Sequence, residues 1–151
     1  MNAFTIAIER LSRKDSSVRD LKQFLKKKEI SSEEIEAVIL KLIDYKYLDD
    51  DRYARMLIRN QHLKKKGATA IRQKLYQKGI SLENEKINEV LAEIQEKDGS
   101  PTAEFLALSY LEKRYPDFRE DRKTAQRAFK GLLRRGYSFA ITEKLIRSPK
   151  T

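Results

Sequence analysis

Residues 71–81, Ile71-Arg72-Gln73-Lys74-Leu75-Tyr76-Gln77-Lys78-Gly79-Ile80-Ser81, read as the end of one helix and the start of the next. Ile71 and Leu75 lie one turn apart on a single face. Lys78 suits the negative pole of a helix C-terminus, and Gly79 suits the left-handed position just beyond the last turn. Ile80 then turns inward, and the Ser81 hydroxyl is placed to cap a following helix. The arrangement recurs on both sides. Leu21, Leu25, Glu29, Ile30 and Ser31 repeat it upstream, and Ala128, Leu132, Gly136, Tyr137 and Ser138 repeat it downstream. Glu29 stands where the other two copies have glycine, at an expected cost of about 1 kcal/mol if it adopts the left-handed conformation.

Helical spacing extends from these turns. Phe4, Ala7, Ile8 and Leu11 share one face, as do Val18, Leu21, Phe24 and Leu25, and again Ile35, Val38, Ile39 and Leu42. Ser17 with Asp20, and Ser31 with Glu34, have the capping-box shape. A further helix precedes each helix pair. The first covers residues 3–13. The second runs from Asp50 to about Lys65 behind the acidic cap Asp49-Asp50-Asp51. The third covers 101–114, with Ser100 as N-cap and Pro101 at the first helical position. The expectation is an all-α fold of nine helices in three tandem three-helix repeats, at 1–48, 49–98 and 99–151. Each repeat has a thin core and is expected to stack on its neighbour as in a solenoid. The expected joints are Lys97-Asp98-Gly99-Ser100 and Tyr115-Pro116-Asp117-Phe118.

Composition narrows the function classes. Only 5 Gly and 3 Pro in 151 residues argue against a turn-rich β protein, and 40% hydrophobic content suffices for a core. With no cysteine and one histidine, thiolate sites, disulfides and multi-histidine metal sites are excluded. No stretch reaches the roughly 20 apolar residues of a membrane span. MNAFTIAIERLSRK reads as an amphipathic helix and not a leader, so the cytoplasm is expected. The net charge of +10 points to a polyanion partner. It is unevenly spread: residues 1–48 carry 10 basic and 8 acidic groups, 49–98 carry 11 and 9, and 99–151 carry 12 and 6.

Two basic stretches and one aromatic pair are candidates for contact. Lys64-Lys65-Lys66-Gly67 fits phosphate binding, and equally fits a solvated helix end. Arg122-Lys123, Arg127, Lys130 and Arg134-Arg135 line the eighth helix, with Arg127, Lys130 and Arg134 on one face and Ala125, Phe129, Leu132 and Leu133 on the buried one. Tyr137 and Phe139 have the chemistry to stack on bases, but at least one is expected in the core. Tyr45, Tyr47, Tyr53, Phe105 and Tyr110 are expected between helices, and His62 on the surface of the fourth helix. Three successive aspartates splay by about 100° each and do not converge on a metal. No GxxxxGK[ST] or GxGxxG occurs, and no catalytic constellation or cofactor site is found.

The order and spacing of these stretches resemble the RecX family, bacterial regulators of the RecA recombinase. The resemblance rests on Tyr47-Leu48-Asp49-Asp50-Asp51-Arg52-Tyr53-Ala54, on Gly67 to Ile80, and on Phe129 to Phe139. The opening AIERLSRKDSSVRDLKQFLKKKEI adds to it. It covers roughly residues 3–147, and Glu29 departs from the glycine usual there. The resemblance implies an elongated, curved monomer of tandem three-helix units. Such a protein binds RecA and lodges in the groove of the RecA–DNA filament. It inhibits recombinase, ATPase and coprotease activities, so modulating recombination, DNA repair and the SOS response. It binds DNA weakly and is not an enzyme. By matched position and charge, Arg52, Arg59, Lys64, Lys65, Lys66, Arg72, Arg127, Lys130, Arg134 and Arg135 are the expected contacts. The alternative is a nonspecific or helix-turn-helix DNA-binding protein, reading residues 82–97 as the recognition helix. That helix is acidic, with five glutamates against two lysines, which phosphates repel.

Overall fold

Three turns of identical hydrogen bonding organise the computed structural model, which describes residues 2–147. At each, the residue after the helix takes positive φ: 61° at Glu29, 81° at Gly79 and 94° at Gly136. The next amide donates back to the carbonyl of Leu25, Leu75 or Leu132, at 3.4, 2.9 and 3.1 Å. This is the Schellman closure. All three leucines are fully buried, so each turn is clamped from inside by the side chain whose carbonyl it uses.

Nine helices occupy the described residues: α1 (Ala3–Arg13), α2 (Val18–Lys27), α3 (Ser32–Asp44), α4 (Asp50–Leu63), α5 (Ala68–Gln77), α6 (Asn84–Asp98), α7 (Ala103–Arg114), α8 (Arg122–Arg134) and α9 (Phe139–Arg147). The fold is all-α, as periodicity predicts. Two compact units emerge. One comprises the chain up to Met56 with Leu75–Ser81, and the other Leu57–Lys74 with the chain from Leu82 onward.

In the first unit, α1, α2 and α3 pack mutually around Ala7, Leu21, Leu25, Ile39, Leu42 and Leu48. Ser17 and Ser31 cap α2 and α3 by accepting from the amides of Asp20 and Glu34, at 3.2 and 3.3 Å. Asp49 caps α4, accepting from the amides of Asp51 and Arg52. Its neighbour Asp50 accepts from the Val18 amide at 2.8 Å, so the acidic run caps two helices. Lys78 reaches Asp20 at 3.0 Å. In the second unit, α7, α8 and α9 surround Ala107, Leu111, Phe118, Ala128 and Leu132. Ile58, Ile71, Ile87, Val90 and Leu91 are among the buried positions of the helices before them.

Several expectations are corrected. The N-cap of α7 is Thr102, accepting from the Phe105 amide at 3.1 Å, and Pro101 lies outside the helix. Ser100 is occupied elsewhere, donating through its hydroxyl and its amide to Asp98. Ser81 does not cap α6, whose N-cap is Glu83, while Asn84 donates to Thr69 at 3.2 Å. His62 is buried rather than superficial, with 1% exposure. Its Nε2 lies 2.7 Å from the Pro101 carbonyl and donates to it. Tyr45, Tyr47 and Phe105 are 50%, 53% and 62% exposed, whereas Tyr53 is buried. Tyr115 and Phe118 are also buried, so the segment expected as a loose joint is anchored in the core. On α8 the buried face is Ala128, Gly131 and Leu132, and Leu133 is 40% exposed. That face follows the close approach of Gly131 to the Tyr115 ring.

The segment after α6 is held by charge. The Ser100 hydroxyl, the Arg59 guanidinium (2.9 Å) and the Ser100 amide hold the Asp98 carboxyl down at about 2. A lowered carboxyl stabilises the fold above its unfolded pKa, and that contribution disappears as pH falls through the folded value. Asp98→Asn is therefore expected to be less stable than the parent at neutral pH. It should lose less further stability between about pH 4 and 2, as read by circular dichroism during acid titration. Equal acid sensitivity of the two proteins would refute this role.

Candidate functional site

Two basic stretches 70 residues apart in sequence meet in the second unit. After α4, Lys65 takes φ 63°, and its amide donates to His62, while the Lys66 amide donates to Gln61. A lysine thus fills the left-handed position that closes α4, which ends at Leu63 and not near Lys65. Gly67 is left with a different task. Its amide donates to the Arg135 carbonyl at 2.8 Å, and the Thr69 amide donates to the Gly136 carbonyl at 3.1 Å. A Cβ on Gly67 would strike the backbone of Gly136 and Tyr137, so only glycine permits this approach.

Arg135 completes the junction. Its Nε donates to the Lys65 carbonyl at 3.0 Å and its Nη2 to the Lys64 carbonyl at 2.7 Å. Its guanidinium also lies 4.9 Å from the Tyr110 ring centroid. A forked donor suits two adjacent carbonyls as a single ammonium does not. The lysine run is consequently held by its backbone, and its side chains are left for other partners. Lys64 is exposed, while Lys65 and Lys66 are half-buried. Desolvation, then the charges of Arg135 and Lys74, lower the Lys66 pKa. Beneath the junction, burial pushes the Tyr137 phenol up to about 12, against the opposing charge of Arg135. Tyr137 is therefore core. Phe139 is 61% exposed and meets Phe129 edge-on at 5.4 Å.

The other expected contacts divide. Arg134, Lys130 and Arg127 lie exposed along α8, Arg127 with its guanidinium 5.7 Å from the Tyr115 ring centroid. Arg72 is half-buried on α5. Arg59 is engaged by Asp98. Arg52, in the first unit, donates to Asp15 and to the carbonyls of Lys46 and Tyr47, tying α4 to the ends of α1 and α3. Arg52, Arg59 and Arg135 thus have internal structural partners. The arrangement is not one the sequence advertises, because Lys65 carries no glycine signal and the Arg135 partners are backbone oxygens.

A helical repeat protein with a rigidly mounted basic surface is the class these features define. Among the described residues no group of His, Cys, Asp or Glu is placed to hold a metal ion, and no helix is long and apolar enough to cross a membrane. Residues 3–42 match the first three-helix domain of RecX, and residues 49–91 match the second. The regulatory protein RecX of Vibrio parahaemolyticus is 34% identical over 134 residues, covering 88% of this chain and 82% of that protein. That of Oceanobacillus iheyensis is 26% identical over 150 residues, covering 99% of this chain but 54% of the relative, so this chain spans about half its length. A crystal structure of regulatory protein RecX matches with a TM-score of 0.79 at 26% identity, over 97% of this chain and 70% of the other. The chain belongs to the RecX family of regulatory proteins.

Proposed function

We propose that this protein is a cytoplasmic, monomeric regulator that binds RecA and RecA–DNA filaments and inhibits their recombinase, ATPase and coprotease activities. It would thereby modulate recombination, DNA repair and the SOS response. In this reading the three-helix segments 1–48, 49–98 and 99–151 act as successive contact modules. Several weak contacts on one chain add through effective concentration. The observation that carries the reading is the junction of Lys64-Lys65-Lys66 with Arg134-Arg135. A backbone already held in place has no further ordering cost when these cations meet an acidic protein face or a phosphate chain, and only the side-chain rotamers remain to be fixed. Arg72, Arg127 and Lys130 extend the same basic character along α5 and α8. Arg52, Arg59 and Arg135 serve it by positioning the backbone.

The test is DNA-dependent ATP hydrolysis by RecA on excess single-stranded DNA at moderate salt, titrated with this protein. Inhibition well below one molecule per RecA is expected, because a filament modulator acts on many subunits. Inhibition only at ratios that coat the DNA would establish the nonspecific DNA binder instead. A helix-turn-helix reading of α5 and α6 is disfavoured by Glu85, Glu89, Glu93 and Glu96 on α6. A plain DNA binder would also lose affinity steeply with salt, whereas filament binding shared with protein contacts would not.

A further inference from the structure

A second basic concavity lies in the first unit, far in sequence from the lysine–arginine junction. It opens between α1 and α2 with a volume of about 370 Å³, and is lined by Ile6, Glu9, Arg10, Arg13, Phe24 and Lys28. Arg10 Cζ stands 4.7 Å from the Phe24 ring centroid, and Lys28 Nζ stands 5.5 Å from it. Arg13 follows Arg10 by one turn. Among the described residues, none of these three cations has a carboxylate within ion-pair distance. In the same unit Lys22, Arg52 and Lys78 are paired with Glu36, Asp15 and Asp20. Arg10 and Arg13 complement the negative end of α1. That role requires only charge near the pole. It does not require cations from two helices gathered over one ring at the mouth of a cleft.

The chemistry selects the ligand. Three unpaired cations against one glutamate favour an anion with repeating charge. Phe24 holds the Arg10 side chain in place, which reduces the entropy lost when it binds. Ile6 and Phe24 are the apolar residues of the lining, and a carboxylate leaves them unused whereas a nucleoside covers them. Glu9, also in the lining, supplies a carboxylate able to accept a hydrogen bond from a base N–H. A duplex keeps its bases stacked and is too wide to enter a cleft of this volume. We propose that the α1–α2 cleft binds single-stranded nucleic acid. Arg10, Arg13 and Lys28 take the phosphodiesters, and Ile6 with Phe24 takes one nucleoside.

No recombinase is needed to observe this binding. A short fluorescein-labelled oligothymidylate is titrated with the protein at several salt concentrations and followed by anisotropy. Each phosphate contact to a single strand contributes about 0.7 to the slope of log affinity against log salt. The triple variant Arg10→Gln/Arg13→Gln/Lys28→Gln is expected to flatten that slope by about 2 and to weaken low-salt binding at least about tenfold. The three side chains are exposed, so helicity should remain unchanged. Phe24→Leu preserves packing, removes the ring beneath the cations, and should weaken binding about threefold. A folded triple variant with parental slope and affinity overturns the proposal. So does polyglutamate displacing the oligonucleotide as effectively as unlabelled oligothymidylate, because the cleft would then select carboxylates.

Discussion

Replacing Gly136 by alanine is expected to destabilise the protein by about 3 kcal/mol. Two costs add there. The backbone φ of 94° strains any residue with a Cβ. The new atom would also sit 2.5 Å from both the Cβ and the amide nitrogen of Ala70, and 3.0 Å from its Cα. Backbone cannot yield as a flexible side chain does, so α5 must move away. The hydrogen bonds from Gly67 to Arg135 and from Thr69 to Gly136 then stretch or break. Gly99→Ala is the internal control. Its φ of 69° carries the same kind of strain, but nothing lies within 4 Å of the added atom. It should cost only about 1 kcal/mol. Urea unfolding of both variants checks the difference, and equal losses would show that the junction is loose.

Reversing Lys64, Lys65 and Lys66 to glutamate should lower affinity for RecA–DNA filaments about a hundredfold at moderate salt, with helicity retained. A cluster that meets three anionic groups also sets the salt dependence, so the slope of log affinity against log salt should flatten by roughly 2–3. Reversing the exposed Lys86, Lys97 and Lys113, which lie outside the candidate stretches, changes net charge by the same amount. If both variants lose affinity equally, long-range attraction dominates and the junction is not a contact surface. If only the first loses it, the contact is local. Filament binding measured by co-sedimentation, and circular dichroism of each variant, separate these outcomes from unfolding.

The two experiments test different properties of one construction. Gly136 and Gly67 let two backbone segments approach, and Arg135 fastens the lysine run by its carbonyls, which leaves Lys64 exposed and Lys65 and Lys66 half-buried. Damage to the glycines should unfold the site together with its surroundings. Damage to the lysines should leave the fold and remove the contact.

The sequence alone determined the helices and the repeated turn. Leu25, Leu75 and Leu132 precede positions 29, 79 and 136 by the same offset, and local hydrogen bonding carries that signal within six residues. The caps at Ser17, Ser31 and Asp49 were legible for the same reason. Tertiary structure alone decided what lies next to what. Lys65 takes the left-handed position after α4, and Gly67 lies at the crossing with Gly136. His62 was buried because its Nε2 meets the Pro101 carbonyl, and Tyr45 and Tyr47 were left exposed beside Phe4. Arg135 reaches carbonyls 70 and 71 residues away. For Gly67, His62 and Arg135 the partner in the contact is a backbone atom, which every residue possesses. The sequence therefore carries no mark of which residue the partner is, and only the packing of the helices reveals it.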